Sequence, residues 1–226
     1  MLVYINDDAV HPSKSESLMS YLWKTLRPQI ASIKKNLVNR PAGLKQLGNE
    51  SVVKRPWRFE GKKHIEIGSR TVIFFGSNIC AVEKYRGGTF TPSVLIGDDV
   101  YIGHYAFITA INCIEIGNGS VLSEHVYITD FFHGLDPQNG LIMEQPLESK
   151  GPVKIGKNCF LGYRASVMPA VTLGDWCIVG ANSVVTRSFP SYSMIAGSPA
   201  RLLKTYSHEL GRWVAPSSGM PNGGPI

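Results

Sequence analysis

The chain has 226 residues, 43% of them hydrophobic, and a formal net charge of +6. That composition supplies a core for one domain. No apolar run approaches the ~20 residues needed to span a bilayer, and MLVYINDDAV has no basic stretch leading into an apolar one, so neither a membrane span nor a secretory leader is expected. The basic residues do not gather into an aromatic-studded motif, which argues against nucleic acid as a partner.

Residues 1–64 read as a helical segment followed by a connector. Ser13 and Glu16 have capping-box spacing, and Leu18, Leu22, Leu26, Ile30 and Ile33 then form an apolar stripe with Lys24, Arg27, Lys34 and Lys35 off it. Pro28 breaks or kinks this pattern. The preferred reading is a helix packed on the rest of the protein or on a neighbouring subunit. The alternative is a basic amphipathic helix resting on the inner membrane surface. Residues 38–64 are polar and basic, with Pro41, Gly43 and Pro56, and read as the connector.

From residue 65 a step of six takes over. Ile67, Ile73 and Ile79 begin it, and Ile96, Ile102 and Ile108 continue it. After a shift of two come Ile116, Leu122 and Ile128, and after a longer break Ile155, Leu161, Val167, Leu173, Val179 and Val185. A helix requires spacings of three and four, and a half-buried strand alternates. A step of six describes short strands separated by corners, three to a coil, so that residues eighteen apart stack in a β-helix. A glycine follows many of the aliphatic residues, as at Gly97, Gly117 and Gly156, and is read as permitting the corner. A second inward row lies four residues on and includes Val100, Ala106, Val126, Cys159, Ala165 and Cys177. Cys159 and Cys177 therefore stack as small core residues, with a disulfide as the less favoured alternative. The four cysteines form no metal spacing, and a reduced cytoplasmic setting follows. Residues 85–95 and 131–152 interrupt the repeat. Residues 206–226 start with a helical turn and run out into a Gly/Pro/Ser tail.

The run from Lys154 to Arg201, with IGKNCFLGYRASVMPAVTLGDWCIVGANSVVTRSFP leading into IAGSPAR, resembles the hexapeptide-repeat acyltransferases. Within them it is most similar to sugar O-acetyltransferases of the maltose and galactoside group and their capsule and O-antigen relatives. The resemblance covers roughly residues 65–205. It implies a mainly β fold, a left-handed parallel β-helix, against the usual right-handed preference of parallel crossovers. It also implies a homotrimer with acetyl-CoA as co-substrate and a sugar or polysaccharide acceptor. Attraction to coenzyme A, an anionic glycan or the inner membrane surface would suit the positive charge.

A sugar hydroxyl is a poor nucleophile at neutral pH, and histidine has the right pKa to take its proton. In the family an essential histidine opens the excursion from the β-helix. The resemblance puts that role on His133, within DFFHG. A thioester is already activated, so no metal is required. His104, His125 and His133 lack the spacing of a three-histidine zinc site, and His11, His64 and His208 have no motif context. Asp130, Asp136, Glu144 and Glu148 compete to orient the base, and sequence does not choose among them. His125 is read as an outward-facing residue beside the acceptor groove. The family's donor contacts fall on Tyr163, Ala181, Thr186, Arg187 and Arg201. The two arginines are suited to the coenzyme phosphates. No GxGxxG, GxxxxGK[ST] or GxSxG motif is present, which argues against a kinase, a dehydrogenase or a serine esterase. Two other readings stay open. One is N-acylation of an amino-sugar nucleotide, or O-acetylation of a small molecule. The other is a non-catalytic β-helix scaffold.

Overall fold

The computed structural model describes residues 41–216. The expected helix in 13–37 and the end of the C-terminal tail lie outside these residues.

Three parallel sheets form the walls of a β-helix. The first carries the strands Gln46–Leu47, Ile65–Ile67, Ser93–Ile96, Cys113–Ile116, Val153–Ile155 and Thr172–Leu173. The second begins with Val52–Val53, Val72–Ile73 and Tyr101–Ile102, and the third with Arg58–Glu60, Asn78–Ala81 and Phe107–Ala110. The aliphatic hexads stack from coil to coil: Ile102 pairs with Leu122, Leu122 with Leu161, and Leu161 with Val179. All four are fully buried. The second row, from Val100 and Ala106 to Cys159 and Cys177, is equally buried. Each large aliphatic side chain removed from water stabilises the coil by roughly 1.5–3 kcal/mol, so the repeat holds the stack together. Cys159 and Cys177 are free thiols in this core.

The β-helix starts earlier than expected. Gln46–Leu47, Val52–Val53 and Arg58–Glu60 form a first coil, paired with Glu66–Ile67, Val72–Ile73 and Asn78–Cys80. The segment read as a connector therefore belongs to the solenoid. Leu47, Val53 and Phe59 keep the six-residue step, and Gly48 follows Leu47. Their signal is masked by Lys54, Arg55, Pro56 and Arg58, and by an aromatic residue where the other coils have an aliphatic one. At the other end the expected helical turn after residue 206 is not seen among the described residues. Ser193–Gly197, Ala200–Ser207 and Arg212–Val214 make an antiparallel extension of the second sheet.

The glycines act differently from expectation. Where a corner turns through the left-handed conformation, the residue three after the aliphatic position usually adopts it, and most of these residues carry side chains: Asp99, Tyr105, His125, Asn158, Arg164, Trp176 and Asn182 have φ between 55° and 60°. The glycine directly after the aliphatic residue serves the approach of the next coil. A Cβ on Gly117 would stand 2.6 Å from the backbone carbon of Gly156, and one on Gly156 would stand 2.6 Å from the amide nitrogen of Asp175. Small size, and not positive φ, is the requirement there.

Candidate functional site

The two-residue shift in the repeat is a widened corner after Phe107–Ala110. Ile111 and Asn112 form it, and their amides donate to the two carboxylate oxygens of Asp130 in the coil above, each at 2.9 Å. Asp130 is completely buried, and burial pushes its carboxyl upward while these amides pull the other way. Both of its oxygens are engaged in closing the corner. The structure thus joins Asp130 to the Ile111–Asn112 corner and leaves the His133 ring to other contacts.

The long excursion leaves the third sheet directly after Asp130. Phe132–His133 pairs antiparallel with Leu147–Glu148, with His133 opposite Leu147, so the neck of the excursion is a two-stranded clamp. Inside it, the buried Gln145 accepts from the Asp136 amide at 3.1 Å and donates to the carbonyls of Asp136 and Gly140 at 2.8 and 3.2 Å. The Asp136 carboxylate accepts from the Gln138 amide and the Asn139 side chain, each at 2.8 Å, and so shapes its own turn. Glu144 and Glu148 are exposed. His133 is half-buried, and its Nδ1 is buried with no hydrogen-bond partner among the described residues.

The earlier interruption is a tight hairpin, Lys84–Tyr85 against Gly88–Thr89. It packs against the long excursion. The Tyr85 and His133 rings lie 5.3 Å apart, edge to face at 70°. The Tyr85 hydroxyl donates to the Met143 carbonyl at 2.6 Å, and Arg86 Nε donates to the same oxygen at 3.2 Å. Sequence reasoning missed this contact. The Gly-Gly pair at 87–88 signals a turn, but nothing local says that the turn faces His133.

Four of the five expected donor residues fall into two groups, and the fifth, Arg201, lies in the antiparallel extension Ala200–Ser207. Tyr163 and Ala181 precede the third-sheet strands Ser166–Val167 and Val184–Val185, while Thr186 and Arg187 follow the second of these strands, as His133 follows Tyr127–Thr129. Tyr163 and Ala181 therefore stand on one edge of the third sheet, and Thr186, Arg187 and the His133 excursion stand on the other. The first edge also carries an aromatic column. Tyr105 stacks on His125 at 5.1 Å, and His125 meets Tyr163 edge to face at 5.6 Å. His125 is thus a neighbour of Tyr163 and lies across the sheet from His133. Ala181 is stacked one coil above Tyr163, where Asn182 N donates to Tyr163 O at 2.8 Å.

Arg187 lies over the Phe189 ring, 4.9 Å from its centroid. Both terminal guanidinium nitrogens are buried without partners among the described residues. Burial, and then the neighbouring Arg201 charge, lower its pKa from the ordinary arginine value. A cation in this state favours an anion. A separate open groove of about 600 Å³ runs along the first sheet past Gly97, Gly117, Gly156 and Gly174. None of the expected site residues lines it, so it is not where these residues converge. Among the described residues no cluster of His, Cys, Asp or Glu could hold a metal ion, and no helix is long and apolar enough to cross a membrane.

A family profile described as the hexapeptide repeat of succinyl-transferase matches residues 93–130 and 152–187. The chain is 35% identical over 149 residues to a protein of Escherichia coli K12 named as a lipopolysaccharide biosynthesis O-acetyl transferase, WbbJ; the match covers 62% of this chain and 76% of that protein. It is also 35% identical over 112 residues to an acetyltransferase of Mycobacterium tuberculosis, covering 50% of this chain and 37% of that one. Among solved structures, the N-acyltransferase AntD of Bacillus cereus, a complex with dTDP and coenzyme A, superposes with a TM-score of 0.60 at 18% identity, covering 80% of this chain and 90% of AntD. That likeness is one of fold. Together with the stacked hexads, the relationship to WbbJ makes this chain a member of the hexapeptide-repeat acetyltransferase family, an acyltransferase built on a left-handed parallel β-helix.

Proposed function

We propose that the protein transfers an acetyl group from acetyl-CoA to a sugar hydroxyl of a capsule, O-antigen or exopolysaccharide unit, with His133 as the general base. The observation that carries this reading is the state of two side chains on one edge of the third sheet: His133 and, two coils above its excursion, Arg187. Both have buried polar nitrogens without partners among the described residues. Two coil steps are on the order of 10 Å, a span that a pantetheine arm bridges with its phosphates at one end and its thioester at the other. Arg187 and Arg201 would hold the phosphates through charge-assisted hydrogen bonds.

With Nδ1 turned inward, Nε2 of His133 is the nitrogen left to meet the acceptor. It takes the hydroxyl proton as the sugar oxygen attacks the thioester carbonyl. The tetrahedral species collapses, the C–S bond breaks, and the proton passes from the imidazolium to the departing CoA sulfur. Direct transfer needs no acyl-enzyme, and the cysteines offer none. Burial pushes the Cys80 thiol up, and burial followed by Glu115 does the same to Cys113. Cys159 and Cys177 are sealed in the core.

Tyr163 and Ala181 stand across the sheet from His133, so one chain does not bring the expected site residues together. A homotrimer, in which one edge of a subunit meets the other edge of its neighbour, would complete the cleft. The test is calorimetric titration with acetyl-CoA, comparing the wild type with the Arg187→Ala/Arg201→Ala double variant. Saturable binding near one site per chain, weakened by the double substitution, is expected. No binding at millimolar donor would sink the reading and leave a scaffold or another acyl donor.

A further inference from the structure

A general base needs a fixed ring as well as a suitable pKa, and the usual device is a hydrogen bond to its second nitrogen. His133 lacks that bond among the described residues, because its Nδ1 is buried and unpartnered. The carboxylates considered for the role are otherwise placed: Asp130 caps the Ile111–Asn112 corner, Asp136 shapes its own turn, and Glu144 and Glu148 face solvent. What does touch the ring is Tyr85, edge to face at 5.3 Å.

Tyr85 is itself well fixed. It sits at the end of a hairpin strand, next to a two-residue turn in which Arg86 and Gly87 both have positive φ, 45° and 83°. Such turns match the twist of the flanking strands. The Tyr85 hydroxyl and Arg86 Nε converge on the Met143 carbonyl, which belongs to the same excursion as His133. The hairpin thus grips the excursion at two points, one on its backbone and one on the histidine ring.

We propose that Tyr85 is a positioning residue for His133: its ring fixes the plane of the imidazole in place of an Nδ1 hydrogen bond. This rests on His133 being the base. A small displacement of a catalytic group lowers the rate steeply while leaving donor binding alone.

The experiment compares Tyr85→Leu, Tyr85→Phe and His133→Ala in the full chain, each checked for native folding by its circular dichroism. One readout is the NMR position of the His133 ring signals, assigned by their loss in His133→Ala; it needs no acceptor. The second is CoA release from acetyl-CoA with methyl glucoside as the test hydroxyl. Tyr85→Leu is expected to move the His133 signals out of the tyrosine ring current and to lower kcat about 10- to 100-fold, with KM for acetyl-CoA within about two-fold of wild type. Tyr85→Phe keeps the ring and is expected to restore the signals, with kcat within about three-fold of wild type. Wild-type signals and kcat in Tyr85→Leu, beside an inactive His133→Ala, would overturn the positioning role alone. Wild-type turnover by His133→Ala would remove the base, and the proposal with it.

Discussion

Asp130 and His133 are near neighbours in sequence, yet their surroundings send them to different tasks. Asp130 is sealed in, and its two oxygens hold the amides of Ile111 and Asn112. Replacing it by alanine strands both donors, and a stranded buried donor costs about 1–3 kcal/mol. Thermal or urea unfolding of Asp130→Ala should show at least one such loss. The pH dependence also has a definite sign. Burial raises the Asp130 carboxyl in the folded state above its usual 3.8, so the folded protein binds the proton more tightly than the unfolded chain, and stability from this group falls as pH rises through that raised value. The Asp130→Asn variant cannot titrate there. The wild type should therefore lose stability relative to Asp130→Asn as pH climbs from about 4, and a flat difference between the two melting curves would refute the argument. Under the proposed mechanism, His133→Ala removes a proton acceptor, a role typically worth 10²- to 10⁴-fold. CoA release should fall by roughly that factor while acetyl-CoA still binds.

At the scale of the coil, two corner positions have opposite requirements. Gly117 lies against the backbone of the next coil, and a methyl group placed there would stand 2.6 Å from Gly156 C and 2.7 Å from Lys157 N. Backbone cannot retreat as a flexible side chain can, so Gly117→Ala should destabilise by roughly 2 kcal/mol or more, in the range of overpacked cores. Ala170 occupies the left-handed position of its corner with φ 65°. A left-handed residue with a Cβ is disfavoured by roughly 1–2 kcal/mol, so Ala170→Gly should be neutral or stabilising by up to about 1 kcal/mol, once the extra freedom of the unfolded glycine is counted. Paired unfolding curves of the two variants test both halves. These coils were legible in the sequence because their inward residues obey a fixed step. The first coil obeys it too, at Leu47, Val53 and Phe59, but basic residues and a proline on its outer side hid it. The contacts of Asp130 with Ile111 and of Tyr85 with His133 had no such signature. They join segments brought together only by the stacking of coils and by the folding of two excursions against each other, and no local spacing encodes them. The glycines were visible, but their purpose was not, since close approach and positive φ both select the same residue.

For the whole molecule, the decisive fact is that Tyr163 and Ala181 lie on one edge of the third sheet, and His133, Thr186 and Arg187 on the other. If the cleft forms between subunits, a chain damaged on one edge can be rescued by a chain damaged on the other. Ala181 is exposed, so Ala181→Trp should fold while blocking its edge of the cleft, and His133→Ala should fold while disabling the opposite edge. Each variant alone is expected to be inactive. Coexpressed in equal amounts, they would assemble mixed rings, and a cleft works when the subunit giving its histidine edge is the Ala181→Trp chain and the next subunit is the His133→Ala chain. Random assembly makes that combination at about a quarter of the clefts, so activity should return to about a quarter of wild type. The particle should contain three chains by sedimentation. Separately purified variants mixed without exchange of subunits should stay inactive, which separates shared clefts from cooperation between intact particles. If each chain instead carries a complete site, coexpression would restore nothing, because every site would keep one lesion of its own.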